Sequence, residues 1–316
     1  MKLVFCGTPR FGVPTLEALH KAGHEIALAV SQPDKPVGRS QELVAPPVKL
    51  AAQALGIPVT QPEKIRNNEE FRSQLAAIAP DAIVVVAYGR IIPKWMLSLP
   101  RFGCINLHAS LLPKYRGAAP IQWAIAMGET ITGNTTMLLE EGLDTGPILM
   151  QQALVIRPEK TALDLFEEMA LGGAPLVVET LANLENGVIK PKPQDHARAT
   201  LAPLLDREDG RMKFGEHTAT ELKNRWRGFQ PWPGAFTTLD GKKLIVHRME
   251  VASEVDSGAS DVNEPGKIVV LDQGLFVACA NNTWLSLIEL QLEGKKRLPV
   301  AEFLRGTPLA SGARLG

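Results

Sequence analysis

The stretch MKLVFCGTPRFGVPTLEALHKAGHEIALAV, Met1 to Val30, decides the fold. Lys2 to Cys6 is a short apolar run of strand length, and Gly7-Thr8-Pro9 breaks it. A helix follows to about Lys21, with Val13, Leu16 and Leu19 at helical spacing. Glu25 to Val30 reads as a second strand, so the chain opens with a β-α-β unit. Dinucleotide-binding folds open in the same way. Here, however, the glycines are Gly7 and Gly12, without the three-glycine fingerprint, and no phosphate-loop lysine follows.

The alternation continues outward from this unit. Helices are expected over Ala45 to Leu55 and Asn68 to Ile78. Ala82 to Tyr88 is a near-continuous apolar strand of the kind that parallel sheets bury on both faces. After Gly89 to Pro93 (GRIIP) come a helix, a strand over Gly103 to His108 and an amphipathic helix over Ile121 to Met127; a long helix covers Ala162 to Glu185. This is an α/β pattern, a Rossmann-like and mostly parallel sheet. Residues 187–206 contain Pro191, Pro193 and Pro203 with little apolar period, and read as a linker. Beyond a helix over Ala219 to Trp226 lie five short runs: Gly234 to Thr238, Lys243 to Met249, Gly266 to Leu271, Leu275 to Ala278 and Trp284 to Leu292. They suit a small C-terminal β-barrel of the OB type. The expected division is a catalytic domain over residues 1–188, a linker over 189–206 and a C-terminal domain over 207–316.

A chain of 316 residues with 45% hydrophobic content can bury the cores of two such domains. Its three cysteines, Cys6, Cys104 and Cys279, stand at unrelated spacings, which disfavours disulfides and cysteine-based zinc sites. The apolar stretch at the N-terminus is too short for a signal peptide, and no run approaches the roughly 18 apolar residues of a membrane span. A cytoplasmic protein without a membrane partner is the expectation. Zero net charge excludes a global polybasic signature for nucleic acid and leaves only local patches. Positive charges gather at Lys223/Arg225/Arg227, Lys242/Lys243/Arg248 and Lys295/Lys296/Arg297. These form either one basic face or ordinary solvated turns; the sequence leaves both open. Trp226, Phe229 and Trp232 have the chemistry to stack bases, although Trp232, which stands between two prolines, reads rather as domain packing.

The chemistry concentrates at GCINLH, Gly103 to His108. Side chains alternate along a strand, so Asn106 and His108 project side by side. An asparagine offers an N–H donor to a developing oxyanion, and a histidine moves a proton near neutrality. Asp144 lies in EEGLDTGP, a loop punctuated by Gly142, Gly146 and Pro147 that can place a carboxylate beside the imidazole. Each residue alone also fits a plainer role, a hydrogen-bonded histidine at a strand end or an aspartate in a turn.

Followed by Ala109-Ser110-Leu111-Leu112-Pro113-Lys114-Tyr115-Arg116-Gly117, the Asn106 and His108 pair resembles the signature of the 10-formyltetrahydrofolate-dependent formyltransferases. The resemblance implies catalytic roles for Asn106, His108 and Asp144, 10-formyltetrahydrofolate as the formyl donor, and no metal. It implies folate contacts from Ser110, Leu111, Leu112 and Pro113, with Tyr88, Gly89 and Leu143 flanking the pterin. Phe11 is either a wall for the acceptor's side chain or a core residue. Ser31 to Lys49 (SQPDKPVGRSQELVAPPVK) is long for a β-to-α loop. It resembles the insertion of the methionyl-tRNA formyltransferases, with Arg39 matching the arginine that reaches the acceptor stem and Lys35 and Lys49 also in place. Ser40-Gln41 stand where a basic pair is usual, and Leu204 where a linker lysine is customary. The implied partner is initiator methionyl-tRNA, bound by a monomer. An amino-sugar N-formyltransferase is the alternative enzyme, and a catalytically idle folate- and RNA-binding protein the alternative class.

Overall fold

In this computed structural model the described residues are 1–38, 41–253, 255, 264–272 and 274–316. Arg39 therefore lies outside the described residues. The chain forms two compact units. One comprises Met1–Pro120, Ile131–Val155 and Asp164–Pro203; the other comprises Ile121–Thr130, Ile156–Leu163 and Leu204–Gly316.

The first unit opens with β1 (Lys2–Gly7), α1 (Val13–Lys21) and β2 (Glu25–Val30), as the apolar spacing predicts. A hairpin of β3 (Lys35–Val37) and β4 (Glu42–Val44) follows, then α2 (Pro47–Ala54), β5 (Val59–Thr60), α3 (Glu69–Ile78) and β6 (Ala82–Val86). Next come α4 (Lys94–Leu97), β7 (Cys104–His108) and β8 (Arg116–Gly117). Past α5 (Pro120–Ala126) the chain adds β9 (Ile131–Leu138), β10 (Ile148–Val155), α6 (Ala162–Glu185) and β11 (Leu201–Ala202).

The main sheet runs β10-β9-β7-β6-β1-β2-β5. Its β5, β2, β1, β6 and β7 pair in parallel, while β9 and β10 are antiparallel additions. The strand β6 is buried along its whole length because it lies between β1 and β7 with helical cover, and its sequence AIVVV meets that demand. α1 turns Leu16 and Leu19 inward. α3 starts where the Asn68 side chain accepts a hydrogen bond from the Phe71 amide at 2.9 Å, and it stops at Ala79 with φ 49°. Strand order reverses at β1 and β6, so the loops after their carboxyl ends face the crevice where α/β sheets bind ligands. There the Thr8 hydroxyl donates to the Tyr88 carbonyl at 2.9 Å.

β9 and β10 are absent from the sequence reading, and β9 shows why. It carries Thr132, Asn134, Thr135 and Thr136, yet six of its eight residues are buried. Partners elsewhere in the unit satisfy part of this set: Asn134 Nδ2 donates to the Met169 carbonyl at 2.9 Å, and the Thr136 and Thr180 hydroxyls share a bond of 2.8 Å, while Thr132 Oγ1 and Asn134 Oδ1 are buried without a partner among the described residues. The stretch that reads as a linker is bound chain as far as Pro203. Lys192 exchanges backbone hydrogen bonds with Ile148, and β11 pairs in parallel with β8.

The second unit contains α7 (Ala219–Gly228), β12 (Phe236–Leu239), β13 (Lys242–Ala252), β14 (Ile268–Leu271), β15 (Gly274–Cys279), β16 (Thr283–Leu292), β17 (Leu298–Pro299) and α8 (Val300–Gly306). Its sheet is antiparallel, in the order β12-β13-β16-β15-β14 with β17 on β16. Leu244, Val246, Leu275, Val277, Leu285 and Leu287 form its core with Leu222 of α7. A capping box between Thr218 and Glu221 starts α7.

This unit corrects one reading of its basic residues. Lys223 is paired with Glu250. The guanidinium of Arg225 lies 4.9 Å from the ring centroid of Phe229 and donates to the Asp209 carbonyl at 3.1 Å. Arg227 is buried and donates to the carbonyls of Arg157 and Lys160 at 3.1 and 3.0 Å. This cluster is internal structure and not a free basic face. Phe229 is fully buried, edge-on to Trp123, and so cannot stack a base; Trp226 packs partly buried on the core. Trp232, for which domain packing is the alternative to base stacking, is 55% exposed. Among the described residues no helix is long and apolar enough to cross a membrane.

Candidate active site

β7 places the site. Asn106 pairs with Val85 of β6 on one side and Met137 of β9 on the other, while His108 stands opposite Thr135. Both side chains are buried, at the end of a strand whose alternation puts them on one face. Nε2 of His108 lies 2.9 Å from the Tyr115 carbonyl. A carbonyl oxygen only accepts, so Nε2 carries the proton, and Nδ1 is the nitrogen left to gain or lose one. Nδ1 faces Asp144, with Oδ2 at 3.7 Å, an ion-pair separation beyond hydrogen-bond length.

Asp144 is held from the other side, because the Gly117 amide donates to its Oδ2 at 2.8 Å. This contact explains the glycine. Gly117 has φ 123°, and a Cβ there would come within 2.6 Å of the Ala202 carbonyl oxygen. Among the described residues, Oδ1 of Asp144 and the side-chain amide of Asn106 take no hydrogen bond. An open amide donor, an imidazole of fixed tautomer and a carboxylate with one committed oxygen thus converge at the carboxyl end of β7. Such a set can polarise a carbonyl and move a proton. Cys104, on the same strand, is no nucleophile: burial pushes its thiol up to about 12, and it donates to the Met96 carbonyl. Among the described residues no three His, Cys, Asp or Glu side chains gather to hold a metal.

Comparison with known proteins gives this geometry a lineage. Residues 1–181 match the family described as formyl transferase, and residues 204–308 match the formyl transferase C-terminal domain. The chain belongs to the formyl transferase family. A formyl transferase relative from Acidobacterium capsulatum, named methionyl-tRNA formyltransferase, is 64% identical over 316 residues, covering 100% of both chains. A relative of the same name from Koribacter versatilis is 56% identical, covering 100% of this chain and 99% of its own. Among solved structures, a sugar 3N-formyl transferase named WlaRD, described in the presence of dTDP and 5-N-formyl-THF, superposes with a TM-score of 0.63. It covers 94% of this chain and 99% of that one at 18% identity, a likeness of fold alone.

Around Asn106, His108 and Asp144 the remaining expected residues divide. The loop Ser110 to Pro113 follows β7 directly, but the Ser110 hydroxyl is buried and donates to the Lys114 carbonyl at 2.6 Å, so it shapes the loop from within. Leu112 is buried as well, and the Leu112-Pro113 peptide bond is cis. The side chain of Tyr88 points into the core beside Cys6 and Met96; its carbonyl, with that of Gly89, accepts from Gln32 Nε2 at 3.1 Å. Leu143, beside Asp144, is 62% exposed. Phe11 is buried edge-on to Phe166, which is the core role. Lys35 is exposed on β3. Lys49 is in α2, where it forms an ion pair with Asp34 at 2.8 Å.

Several residues that build the site carry no sequence signal. The Thr135 hydroxyl donates to the Ser110 carbonyl at 2.6 Å and accepts from the Leu112 amide, and Gln151 Nε2 donates to the Leu112 carbonyl at 3.0 Å. They hold the loop after β7 from strands β9 and β10. Tyr115 and Arg116 stand in the motif itself, but the atoms they use, a carbonyl and a guanidinium turned inward, are not readable from residue type.

Proposed function

We propose that the chain transfers the formyl group of 10-formyltetrahydrofolate to the α-amino group of methionine carried on initiator tRNA. The observation that supports this most is the end-to-end match to relatives of that name, at 64% and 56% identity. The sugar-acting neighbour stands at 18%.

The residues fit such a donor: Asn106 presents an amide without an internal partner on β7, two residues before its carboxyl end, where a formyl oxygen needs one. When bound, the folate supplies the carbonyl carbon that the amine attacks. Asn106 donates to the oxygen as it gains charge. Asp144, through its open Oδ1, takes the proton of the attacking amine. Asp144 hands that proton to His108 Nδ1, and the imidazole charged by it donates to the oxyanion before releasing the same proton to the departing nitrogen. The Tyr115 carbonyl keeps the imidazole in that orientation. Backbone from Tyr88, Gly89 and the loop Ser110 to Pro113, with the exposed Leu143, borders the folate.

Within this reading residues 1–188 catalyse, and residues 207–316 bind tRNA together with Lys35, Arg39 and Lys49. The site of action is the cytoplasm and the working form a monomer. Replacing Asn106 by Ala tests the central step. A lost oxyanion donor costs about 10² to 10³ in kcat, with folate binding retained. Near-full turnover of that variant would remove Asn106 from the chemistry and the proposed mechanism with it.

A further inference from the structure

Asp144 sits in an unfavourable backbone conformation, with φ 52°. Non-glycine residues persist there only where their surroundings over-determine them. Two anchors do so here. The first is the Gly117 amide on the carboxylate. The second lies fifty residues further along the chain: Gln194 Nε2 donates to the carbonyls of Asp144 and Gly146, at 2.8 and 2.7 Å, and so bridges the turn on its backbone side.

Gln194 is itself braced. It is 6% exposed, and its Oε1 accepts from both Nε and Nη2 of Arg116, at 3.1 and 2.6 Å. Arg116 is 7% exposed, touches His196 Nδ1 at 3.1 Å, and has no carboxylate partner among the described residues. A guanidinium buried on neutral partners is costly to keep, and here it fixes which end of the carboxamide faces the turn. With Oε1 on Arg116, both amide hydrogens point at the Asp144 loop.

Three consecutive residues thereby act on the His108 and Asp144 side chains. The Tyr115 carbonyl orients His108, the Arg116 side chain orients Gln194, and the Gly117 amide holds Asp144. Residues 192–202 secure this tripeptide: the Arg116 amide donates to the Thr200 carbonyl at 2.8 Å, and the Tyr115 amide to the Thr200 hydroxyl at 2.9 Å.

We propose that Gln194, oriented by Arg116, is a positioning residue that holds the Asp144 turn so that the carboxylate stays beside His108 Nδ1. This rests on the catalytic reading of Asp144 given above. Displacement of a reacting group by about 1 Å can cost 10²-fold, so releasing the turn acts on turnover.

The test is a double-mutant cycle of Gln194→Glu with Asp144→Asn in the full chain. A glutamate keeps the length and the contact with Arg116 but loses both donors to the turn. Expected for Gln194→Glu alone is a fall in kcat of about tenfold or more, with KM for both substrates changed far less. In the Asp144→Asn background the same change should cost less than about threefold, because groups that act as a unit are not additive. An equal penalty in both backgrounds, or full turnover of Gln194→Glu, overturns the positioning role. Should the glutamate variant fail to fold, Gln194→Met, which also lacks the donors, is put through the same cycle with the same outcomes. Full turnover of Asp144→Asn alone overturns the catalytic reading beneath the proposal, a distinct result.

Discussion

His108 Nε2 donates a hydrogen bond to the carbonyl of Tyr115 across 2.9 Å, and that single bond leaves Nδ1, the nitrogen that faces Asp144, free to exchange a proton. The tautomer is a property of the fold, since the carbonyl belongs to the loop that immediately follows β7.

His108→Ala and Asp144→Asn are therefore expected to lower kcat by about 10² or more each, the usual worth of a general acid-base group. Folate affinity should hold within a few-fold, because neither side chain is required to shape the loop of Ser110 to Pro113. Steady-state kinetics beside a folate-binding titration measure both quantities. Turnover close to wild type in either variant would mean that the pair is structural.

The Lys49–Asp34 pair yields a pH dependence. Hydrogen bonds from Lys49, and then from Gln61, hold the Asp34 carboxyl below the usual carboxylate range. The folded value lies under the unfolded one, near 3.9. The contribution to stability is thus present above that value and lost as pH falls through the folded value. Lys49→Met should lower the Tm at neutral pH, and its deficit should shrink as the medium is made more acidic than the ordinary carboxylate range. Thermal melts of both proteins between neutrality and strong acid decide this. A deficit that does not change with pH would place the effect of Lys49 in packing.

Much of the first unit was legible because its strands are either fully apolar or joined by helices with clear spacing; β1, α1, β2 and α6 follow from residue type alone. β9 was hidden because most of its buried residues are polar, Thr132, Asn134, Thr135 and Thr136, and the hydrogen-bond partners of Asn134 Nδ2, Thr135 and Thr136 lie on other segments. The catalytic candidates were legible through a local motif, since Asn106 and His108 are two apart on one strand. Gln194 was not, because its meaning depends on carbonyls and a guanidinium many positions away. The basic cluster on α7 stayed ambiguous for the converse reason: charge is visible in sequence, but the carbonyls and rings that absorb Arg225 and Arg227 are not.

The proposed tRNA contact of Arg39 is the one that distinguishes a tRNA acceptor from a small amine. Arginine suits phosphate oxygens and guanine edges. Arg39→Ala should reduce kcat/KM for methionyl-tRNA at least tenfold, about 1.4 kcal/mol, with folate affinity unchanged. Equal rates for variant and wild type at subsaturating tRNA would remove the residue from tRNA recognition.

The most direct measurement is formyl transfer by the full chain from 10-formyltetrahydrofolate, with initiator methionyl-tRNA and an amino-sugar nucleotide offered in parallel and the products followed by mass. The account predicts formylmethionyl-tRNA as the product, with kcat/KM for the tRNA exceeding that for the amino sugar by at least about 10³, the scale on which buried polar recognition discriminates between substrates. Formylation of the amino sugar at a comparable or greater kcat/KM, or no transfer to the tRNA, would contradict it.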